Sequence, residues 1–344
     1  PRSRTLSRTD RPGGTGGHEM GQYVIRRLLW AFVMLFLVVA VVFVIFFVLP
    51  GGAGHTRAGS KYPPLAYMIA GKHPLPGTVA AVVHRLGLDE PLYLQFGKYV
   101  GNALHGNFGY SYQTHEEVTH AVIRRLPPTI GLAVGASVLW LLLGCSIGVV
   151  SALKRRSLVD RASMIFALAG VSLPIFWLGL MAVFFFDARL RIYNTGNYVG
   201  ITRNPIGWLE IMWLPWIVLA LVSAAIYTRM VRGNMLDVAS EDYIRTARSK
   251  GLRERSVVRH ELRSALTPVV TMYGLDLGIL LGGAIITEHI FNIPGIGAYA
   301  VDAVRAQNLP VILGTTVMAA FFVIMANLVV DIIYAFLDPR VVYS

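Results

Sequence analysis

Charged residues that could do chemistry cluster in one stretch of this 344-residue chain, residues 241–268. The stretch reads EDYIRTARSKGLRERSVVRHELRSALTP; it has helical periodicity and is interrupted by Gly251. Glu241 and Asp242 suit the start of a helix, because acidic side chains are favourable there. Ala247 and Gly251 are small and lie four residues apart, which allows close contact with another surface. The combination of small, aromatic and basic residues predicts a docking element.

Patterns typical of catalysis or nucleotide binding are absent from the sequence. No glycine-rich loop followed by Lys and Ser or Thr occurs, and so no nucleotide site is expected. His260-Glu261 lacks the second histidine of a zinc-protease helix, and no Gly-x-Ser-x-Gly elbow occurs. His115 and His120 are spaced wrongly for metal ligands on one helix face. We expect no catalytic residue, no metal site and no cofactor bound by this chain.

Three carboxylates lie in or near long apolar stretches: Asp276, Glu288 and Asp331. A carboxylate is costly within a bilayer, so it faces the interior of a helix bundle, a partner or water. Asp276 is therefore either a residue of a polar translocation path or the structural partner of a cation on another helix. Glu288 is a second path candidate, or it reaches the outer interface. For Asp331 we expect a structural ion pair with Arg229 or Arg232.

The composition predicts an integral membrane protein. Hydrophobic residues make up 55% of the chain and charged residues 15%, whereas about a quarter of the residues in soluble domains are charged. The mean hydropathy is +0.57. The net charge of +12 fits the Lys and Arg residues that collect in cytoplasmic loops. Since no zinc-finger spacing or basic stripe occurs, nucleic-acid binding is not expected. The one cysteine, Cys145, is expected to pack as a small apolar residue.

Six apolar segments approach or exceed the roughly 20 residues that a spanning helix needs. They cover residues 30–49, 128–153, 165–186, 211–230, 269–286 and 312–337. Lys and Arg are concentrated in the loops after the second and fourth segments, which predicts that these loops, including residues 241–268, are cytoplasmic. Both chain termini then lie in the cytoplasm, and residues 51–127 lie outside.

Glycine rows on two of these segments predict close helix packing. The fifth segment carries Gly274, Gly278 and Gly282, and the second carries the pairs Gly131/Gly135 and Gly144/Gly148.

The predicted fold class is an all-α integral membrane protein with four parts. Residues 1–20 form a disordered N-terminal tail, because they are rich in Arg, Gly and Ser. Residues 21–50 form the first transmembrane helix. Residues 51–127 form a small extracytoplasmic domain with possible helices over 78–86 and 92–104. Residues 128–344 form a five-helix core that includes the 241–268 loop.

Several short motifs follow one another along the chain in an order that is specific as a set. They are RRLL at 26–29, LGLDEPL at 86–92, GNFGYS at 106–111, RLPPT at 125–129, YIRTARSKG at 243–251, EHIFNIPGIG at 288–297 and LDPR at 337–340. From about Tyr23 to Tyr343, the chain resembles the permease subunits of bacterial ABC importers, in their dipeptide/oligopeptide (DppB/OppB-like) branch. The general Glu-Ala-Ala triplet of the family's cytoplasmic loop is replaced here by Arg245-Thr246-Ala247, with Gly251 at the glycine position.

The resemblance implies a six-helix type I ABC importer permease that pairs with a second, homologous permease subunit. Two cytoplasmic ATPase subunits, which hold ATP and Mg, would drive the pair, and an extracytoplasmic substrate-binding protein would deliver the cargo. The chain would be non-catalytic, would lie among the lipids of the bacterial cytoplasmic membrane, and would move di- or oligopeptides by alternating access. The residues implied in ATPase coupling are Glu241, Asp242, Tyr243, Arg245, Ala247, Arg248, Lys250 and Gly251.

Other cargoes and other classes of function stay open from the sequence. Nickel-chelate, glutathione and haem enter through close relatives of this branch. A channel or secondary transporter without an ATPase predicts a polar path through several spans and internal repeats, and neither is clear in the sequence. A membrane enzyme would need a catalytic pair, and none is found.

Overall fold

Helices dominate the part of the chain that the structure, a computed structural model, describes: residues 16–49, 61–71, 74, 76–281 and 284–337. The first helix, α1, runs Gly16–Phe43 and continues as a π-helical turn over Val44–Val48. Residues 16–20 are therefore helical, although they were predicted to belong to the disordered tail. Residues 1–15 of that tail and the LDPR motif beyond Leu337 lie outside the described residues.

Three short helices follow, at the positions where the sequence predicts a small domain. They are α2 (Pro64–Ala70), α3 (Pro76–Leu86) and α4 (Leu92–Leu104), so the two helices predicted over 78–86 and 92–104 are confirmed. A two-residue antiparallel ladder joins β1 (Tyr110–Ser111) to β2 (Glu116–Glu117). Buried apolar residues of α2 and α3 form one cluster with residues of α1 and of the last helix. This cluster fixes the small helices against the membrane-spanning part.

The second long helix, α5, runs Val118–Leu153 and begins ten residues earlier than the predicted span. Pro127 and Pro128 lie inside it, although proline removes a backbone donor and usually ends or kinks a helix. Val118, Ala121 and Val122 are fully buried against later helices. This tertiary packing stabilises the early turns, so residues 118–127 belong to α5 and not to a separate outer segment.

The predicted third span, residues 165–186, is broken in the structure. Helix α6 (Leu158–Ser172) and helix α7 (Ile175–Val183) are followed by a π-helical turn over Phe184–Arg189, and the two parts are bent by 96°. The residue before Pro174 adopts an extended conformation, because the proline ring disfavours helical geometry there. The prediction of one continuous helix was therefore wrong.

The remaining helices complete the core. They are α8 (Pro205–Ala239), α9 (Asp242–Ser249), α10 (Glu254–Ala265), α11 (Thr267–Leu281), α12 (Ile285–Ile290), α13 (Ile296–Ala306) and α14 (Leu309–Leu337). The predicted fifth span, 269–286, is thus divided between α11 and α12. By length and composition, α1, α5, α8 and α14 can each cross a membrane. Among the described residues the number reaches six if each of the bent pairs α6–α7 and α10–α11 is counted as one span. Six spans were predicted.

Helices α5 and α8 pack closely through the glycine row of α5. A Cβ on Gly144 would lie 2.6 Å from the Cβ of Tyr227, and one on Gly148 would lie 2.8 Å from the carbonyl oxygen of Thr228. Real Cβ atoms essentially never come that close to other atoms. The predicted role of these glycines in helix packing is therefore confirmed by the contacts of α5 with α8.

Candidate functional site: the coupling segment and the buried carboxylates

Helix α9 is a short exposed helix that follows α8 directly. Its N-cap, Glu241, is extended and its side chain forms no capping hydrogen bond. Ile244 is fully buried and holds the helix against the rest of the chain. Asp242, Tyr243 and Arg245 are exposed, with 49% of Tyr243 accessible. One buried isoleucine therefore anchors a helix whose other face is open.

Gly251 ends this segment in a left-handed conformation, with φ of +73°. Glycine is the residue that adopts this conformation without steric cost, and it commonly terminates helices in this way. A Cβ at Gly251 would meet no atom of the described residues within 4 Å. The glycine is thus required by the backbone and not by a neighbour within the chain. Ala247, four residues earlier, is half-buried, and Lys250 is exposed.

Arg248 ties α9 to α10. Its Nη2 lies 2.8 Å from Oε1 of Glu261 and 3.1 Å from Oε1 of Glu254. The hydrogen bond to Glu254 and the charge of both carboxylates raise the pKa of Arg248. The Tyr243 hydroxyl adds a second link, since it donates to Oγ of Ser264 at 2.9 Å. Arg248, which the resemblance assigns to partner contact, therefore also braces the segment from within.

A buried ion pair that the sequence did not predict fastens α8 just before it leads into α9. Arg232 donates from Nε to Oδ1 of Asp160 at 2.6 Å and from Nη2 to Oδ2 at 3.0 Å. The same carboxylate accepts from Oγ of Ser151 at 2.6 Å and from the backbone N–H of Arg156 at 2.9 Å. The base of the coupling segment is thus joined to the turn between α5 and α6.

Asp331 has a different partner from the one predicted. Its Oδ2 lies 3.0 Å from Nη1 of Arg27 on α1, whereas Arg232 is engaged by Asp160. The expected ion pair exists, but its partner lies in the first helix. Sequence order could not show this, because α1 and α14 are neighbours only in the folded chain.

Asp276 lies on α11 within a polar and aromatic group between three helices. Its Oδ2 accepts a hydrogen bond of 2.7 Å from the buried hydroxyl of Tyr227. Trp140 contacts the rings of both Tyr227 and Tyr273, and the Tyr273 hydroxyl lies 3.1 Å from Oγ of Ser137. No cation pairs with Asp276 among the described residues, so its partner is a neutral donor. Asp276 remains half-buried, as a path residue or a packed structural residue would be.

Glu288 is fully buried, and its carboxylate lies at the start of α13. Oε1 accepts from Oγ1 of Thr129 at 2.7 Å, and Oε2 accepts from the backbone N–H of Ala298 at 2.9 Å. Thr129 Oγ1 in turn accepts from the backbone N–H of Ile296 at 2.9 Å. Burial raises the pKa of Glu288, and these hydrogen bonds partly offset that rise. In this structure the Glu288 carboxylate caps the start of α13.

The glycines after Glu288 explain the motif EHIFNIPGIG. A Cβ on Gly295 would collide with the Glu288 carboxylate, and one on Gly297 would lie 2.8 Å from Cγ1 of Ile285. Asn292 adopts a left-handed φ of 51°, which asparagine tolerates better than most residues. The motif therefore encodes a tight joint between α12 and α13.

One glycine of the α11 row, Gly278, faces α14. Gly274 and Gly278 are buried, and a Cβ on Gly278 would lie 2.9 Å from Oδ1 of Asn327. Gly278 thus allows α11 to approach α14 closely, in line with its predicted packing role. Gly282 lies outside the described residues.

No group of three or more His, Cys, Asp or Glu residues in the described part of the chain could hold a metal ion. His115, one of the two histidines considered above, lies in the turn between β1 and β2.

Two family descriptions match the chain along most of its length. Residues 20–133 match the "Binding-prot-dependent transport system membrane comp, N-term" family, and residues 141–343 match "Binding-protein-dependent transport system inner membrane component". The chain belongs to this family. It is a multi-pass permease subunit of binding-protein-dependent ABC transport, as the resemblance predicted.

Named relatives align with almost the whole of this chain. A putative peptide transport system permease protein of Brucella abortus (strain 2308) is 38% identical over 326 residues, which are 94% of this chain and 100% of that protein. The glutathione transport system permease protein GsiC of Escherichia coli (strain K12) is 38% identical with the same coverage. This permease therefore falls in the dipeptide/oligopeptide-like branch of the family.

Proposed function

We propose that this permease carries short peptides into the cell and that α9 is the segment through which ATPase subunits drive it. The cargo follows from its relatives, one named for peptides and one for glutathione, itself a tripeptide. The identity of 38% spans both the small outer helices and the membrane core. The chain itself would be non-catalytic, with ATP and Mg held by the ATPase subunits.

The observation that supports the coupling role is the open face of α9. The helix is anchored by Ile244 and braced by Arg248, and yet Asp242 and Arg245 stay exposed and are joined only to each other, at 3.7 Å, among the described residues. A rigid helix with an unused face suits a contact surface, because little conformational entropy is lost when a partner binds. Since α8 continues into α9, movement of α9 would be transmitted to a membrane-spanning helix.

The loop charges support an orientation with α9 in the cytoplasm. The loop after α5 and the segment from α9 to α10 are rich in Lys and Arg, as cytoplasmic loops are. Both termini then lie in the cytoplasm of the bacterial cell, and α2–α4 face outside. There they would meet an extracytoplasmic binding protein, while a second permease subunit and membrane lipid would cover the apolar helix faces.

The coupling role is tested with a charge reversal on the open face, Arg245→Glu. Among the described residues Arg245 pairs only with exposed Asp242, at 3.7 Å, so the fold should tolerate the change. We expect the amount of ATPase subunits recovered with the purified permease to fall about tenfold or more, because that is the effect of removing one interface hot spot. The matched control is Arg203→Glu, an exposed arginine before α8 on the predicted outer side. Equal recovery with both variants would exclude α9 as the contact.

The cargo is tested by reconstituting the importer with its binding protein in liposomes and measuring uptake of labelled dipeptides, longer peptides and glutathione. We expect uptake that requires ATP and saturates with short peptides. Uptake of a nickel chelate or haem in preference to every peptide would overturn the cargo proposal and leave the coupling proposal standing. Uptake that persists without the ATPase subunits would favour a channel or secondary transporter.

A further inference from the structure

A polar cavity of about 740 Å³ lies beside the first turns of α8. Because α8 has 35 residues, this end is about 52 Å from its junction with α9. The cavity is formed by the π-helical turn after α7, the following loop and the start of α8. Its polar lining consists of Asp187, Arg191, Asn194, Asn197, Asn204 and Glu210. The cavity therefore lies on the predicted outer side, where a peptide would arrive.

Opposite charges line this cavity without neutralising each other. Arg191 and Glu210 are both exposed, and neither side chain forms an ion pair or hydrogen bond with any described residue. Because this guanidinium and this carboxylate are not paired with each other, each can bind a group of opposite charge on a ligand. The amides of Asn194 and Asn197 are likewise left without side-chain partners in the described chain.

The walls around these charges are fixed. Tyr193 is buried and its hydroxyl donates to the carbonyl oxygen of Ile211 at 2.7 Å, while its ring packs edge-on against Trp213. The Asp187 carboxylate accepts from the backbone N–H of Thr195 at 3.0 Å. The cavity thus combines charged and amide side chains with a fixed aromatic side around Tyr193 and Trp213.

We infer that this cavity binds the two charged ends of a short peptide, with Arg191 taking the α-carboxylate and Glu210 the α-ammonium group. A dipeptide is about 7 Å long when extended, so its charges also lie apart. Guanidinium and carboxylate groups form paired, charge-assisted hydrogen bonds. A ligand of a single charge would leave one of the two side chains unmatched. The apolar wall of Ile211 and Trp213 would contact a peptide side chain.

This inference rests on the proposed peptide cargo, and its test uses the complete importer in nanodiscs without the binding protein. Equilibrium binding of radiolabelled Ala-Phe is compared with binding of N-acetyl-Ala-Phe and Ala-Phe-amide. We expect Arg191→Gln to weaken Ala-Phe binding about tenfold or more, since hydrogen bonds between charged groups contribute that much. The same variant should bind Ala-Phe-amide as the wild type does. Glu210→Gln should show the mirror pattern, with N-acetyl-Ala-Phe unaffected.

The matched control is Arg203→Gln, an exposed arginine of the same loop that does not line the cavity; it should bind all three ligands like the wild type. An equal loss for all three ligands in both cavity variants would overturn the assignment of the peptide ends. Unchanged peptide binding with weakened docking of the binding protein would show instead a protein contact surface. A wild-type importer that transports Ala-Phe in liposomes and yet shows no saturable binding of Ala-Phe without the binding protein would refute the binding site in the cavity. That result would leave the proposed peptide cargo standing. Absence of any peptide transport would refute the proposed cargo.

Discussion

Two short segments of the chain, one at Glu241 and one at Glu288, resemble each other in sequence. Each has a glutamate close to the start of a helix and a glycine a few residues later, but the first glutamate is exposed and the second is buried. Glu241 is exposed and its side chain caps nothing, and Gly251 faces open space. Glu288 is buried and hydrogen-bonded on both oxygens, and a Cβ on Gly295 would collide with it. The first segment keeps Asp242 and Arg245 exposed, although Arg248 and Tyr243 are bonded to α10. The second segment buries its glutamate and satisfies it within the chain.

The difference teaches how to separate a contact surface from a structural joint when the residue types are alike. A buried polar group must be hydrogen-bonded, so removing one partner is costly. An exposed charge is hydrated in the isolated chain, so removing it changes the free energy of unfolding little. We therefore expect changes around Glu288 to act on stability and changes around Glu241 to act on assembly.

Glu288→Ala should have the largest effect on stability. It leaves the Ala298 N–H without its side-chain acceptor and leaves the Thr129 hydroxyl with only the carbonyl oxygen of Arg125 at 3.4 Å, at a cost of roughly 3 kcal/mol. The thermal unfolding midpoint of the purified permease complex should fall clearly. The control Glu117→Ala removes an exposed glutamate whose contact with His120, at 3.8 Å, is weak. Equal midpoints for the two variants would contradict the capping role.

Glu288 also predicts a dependence of stability on pH. Its pKa is raised above the ordinary 4.5 by burial, so the folded state binds the proton more tightly than the unfolded state. The resulting stability is complete below about pH 4.5 and is lost as pH rises through the folded pKa. Glu288→Gln, which does not titrate, should therefore gain stability relative to wild type as pH rises from 4.5. A difference that stays constant or reverses would show that the carboxylate is charged when buried.

Gly251→Ala should have an intermediate effect. The left-handed φ of +73° disfavours a side chain, at about 1 kcal/mol, whereas the open space imposes no further cost. Gly251→Asn should lose less, because asparagine tolerates this conformation, and Gly251→Val should lose more. Unfolding midpoints and uptake rates, measured together, check the order Gly, Asn, Ala, Val. A valine variant as stable as the asparagine variant would contradict the backbone explanation.

Asp242→Asn should have the smallest effect on the chain itself. Its ion pair with Arg245 spans 3.7 Å between largely exposed side chains and contributes at most about 0.5 kcal/mol. The unfolding midpoint should stay within measurement error, while ATPase recovery should change if α9 is the contact surface. A clear loss of stability would show that Asp242 stabilises the fold, as Glu288 does, and is not a contact residue.

Local sequence patterns predicted much of the fold. Apolar length predicted six spans, and the helix over 92–104 was placed at its observed bounds, α4. The bend at Pro174 and the extension of α5 through Pro127 were not predicted, although each involves a proline. In both cases proline weakens the helix, because it lacks a backbone N–H donor and its ring disfavours helical geometry in the preceding residue. Whether the helix breaks or continues depends on whether neighbouring helices bury the affected turn.

By itself the sequence determined the long apolar spans α1, α5, α8 and α14, the basic coupling segment and the family, because hydropathy, charge and motif order are properties of neighbouring residues. Only the tertiary structure decided which polar groups meet. Asp331 pairs with Arg27, Asp160 with Arg232, and Glu288 with Thr129. These partners are distant in sequence and come together because buried charges and donors must be satisfied where the helices pack. On α9, Asp242 and Arg245 stay exposed and are joined by a 3.7 Å ion pair, so a partner can still contact them.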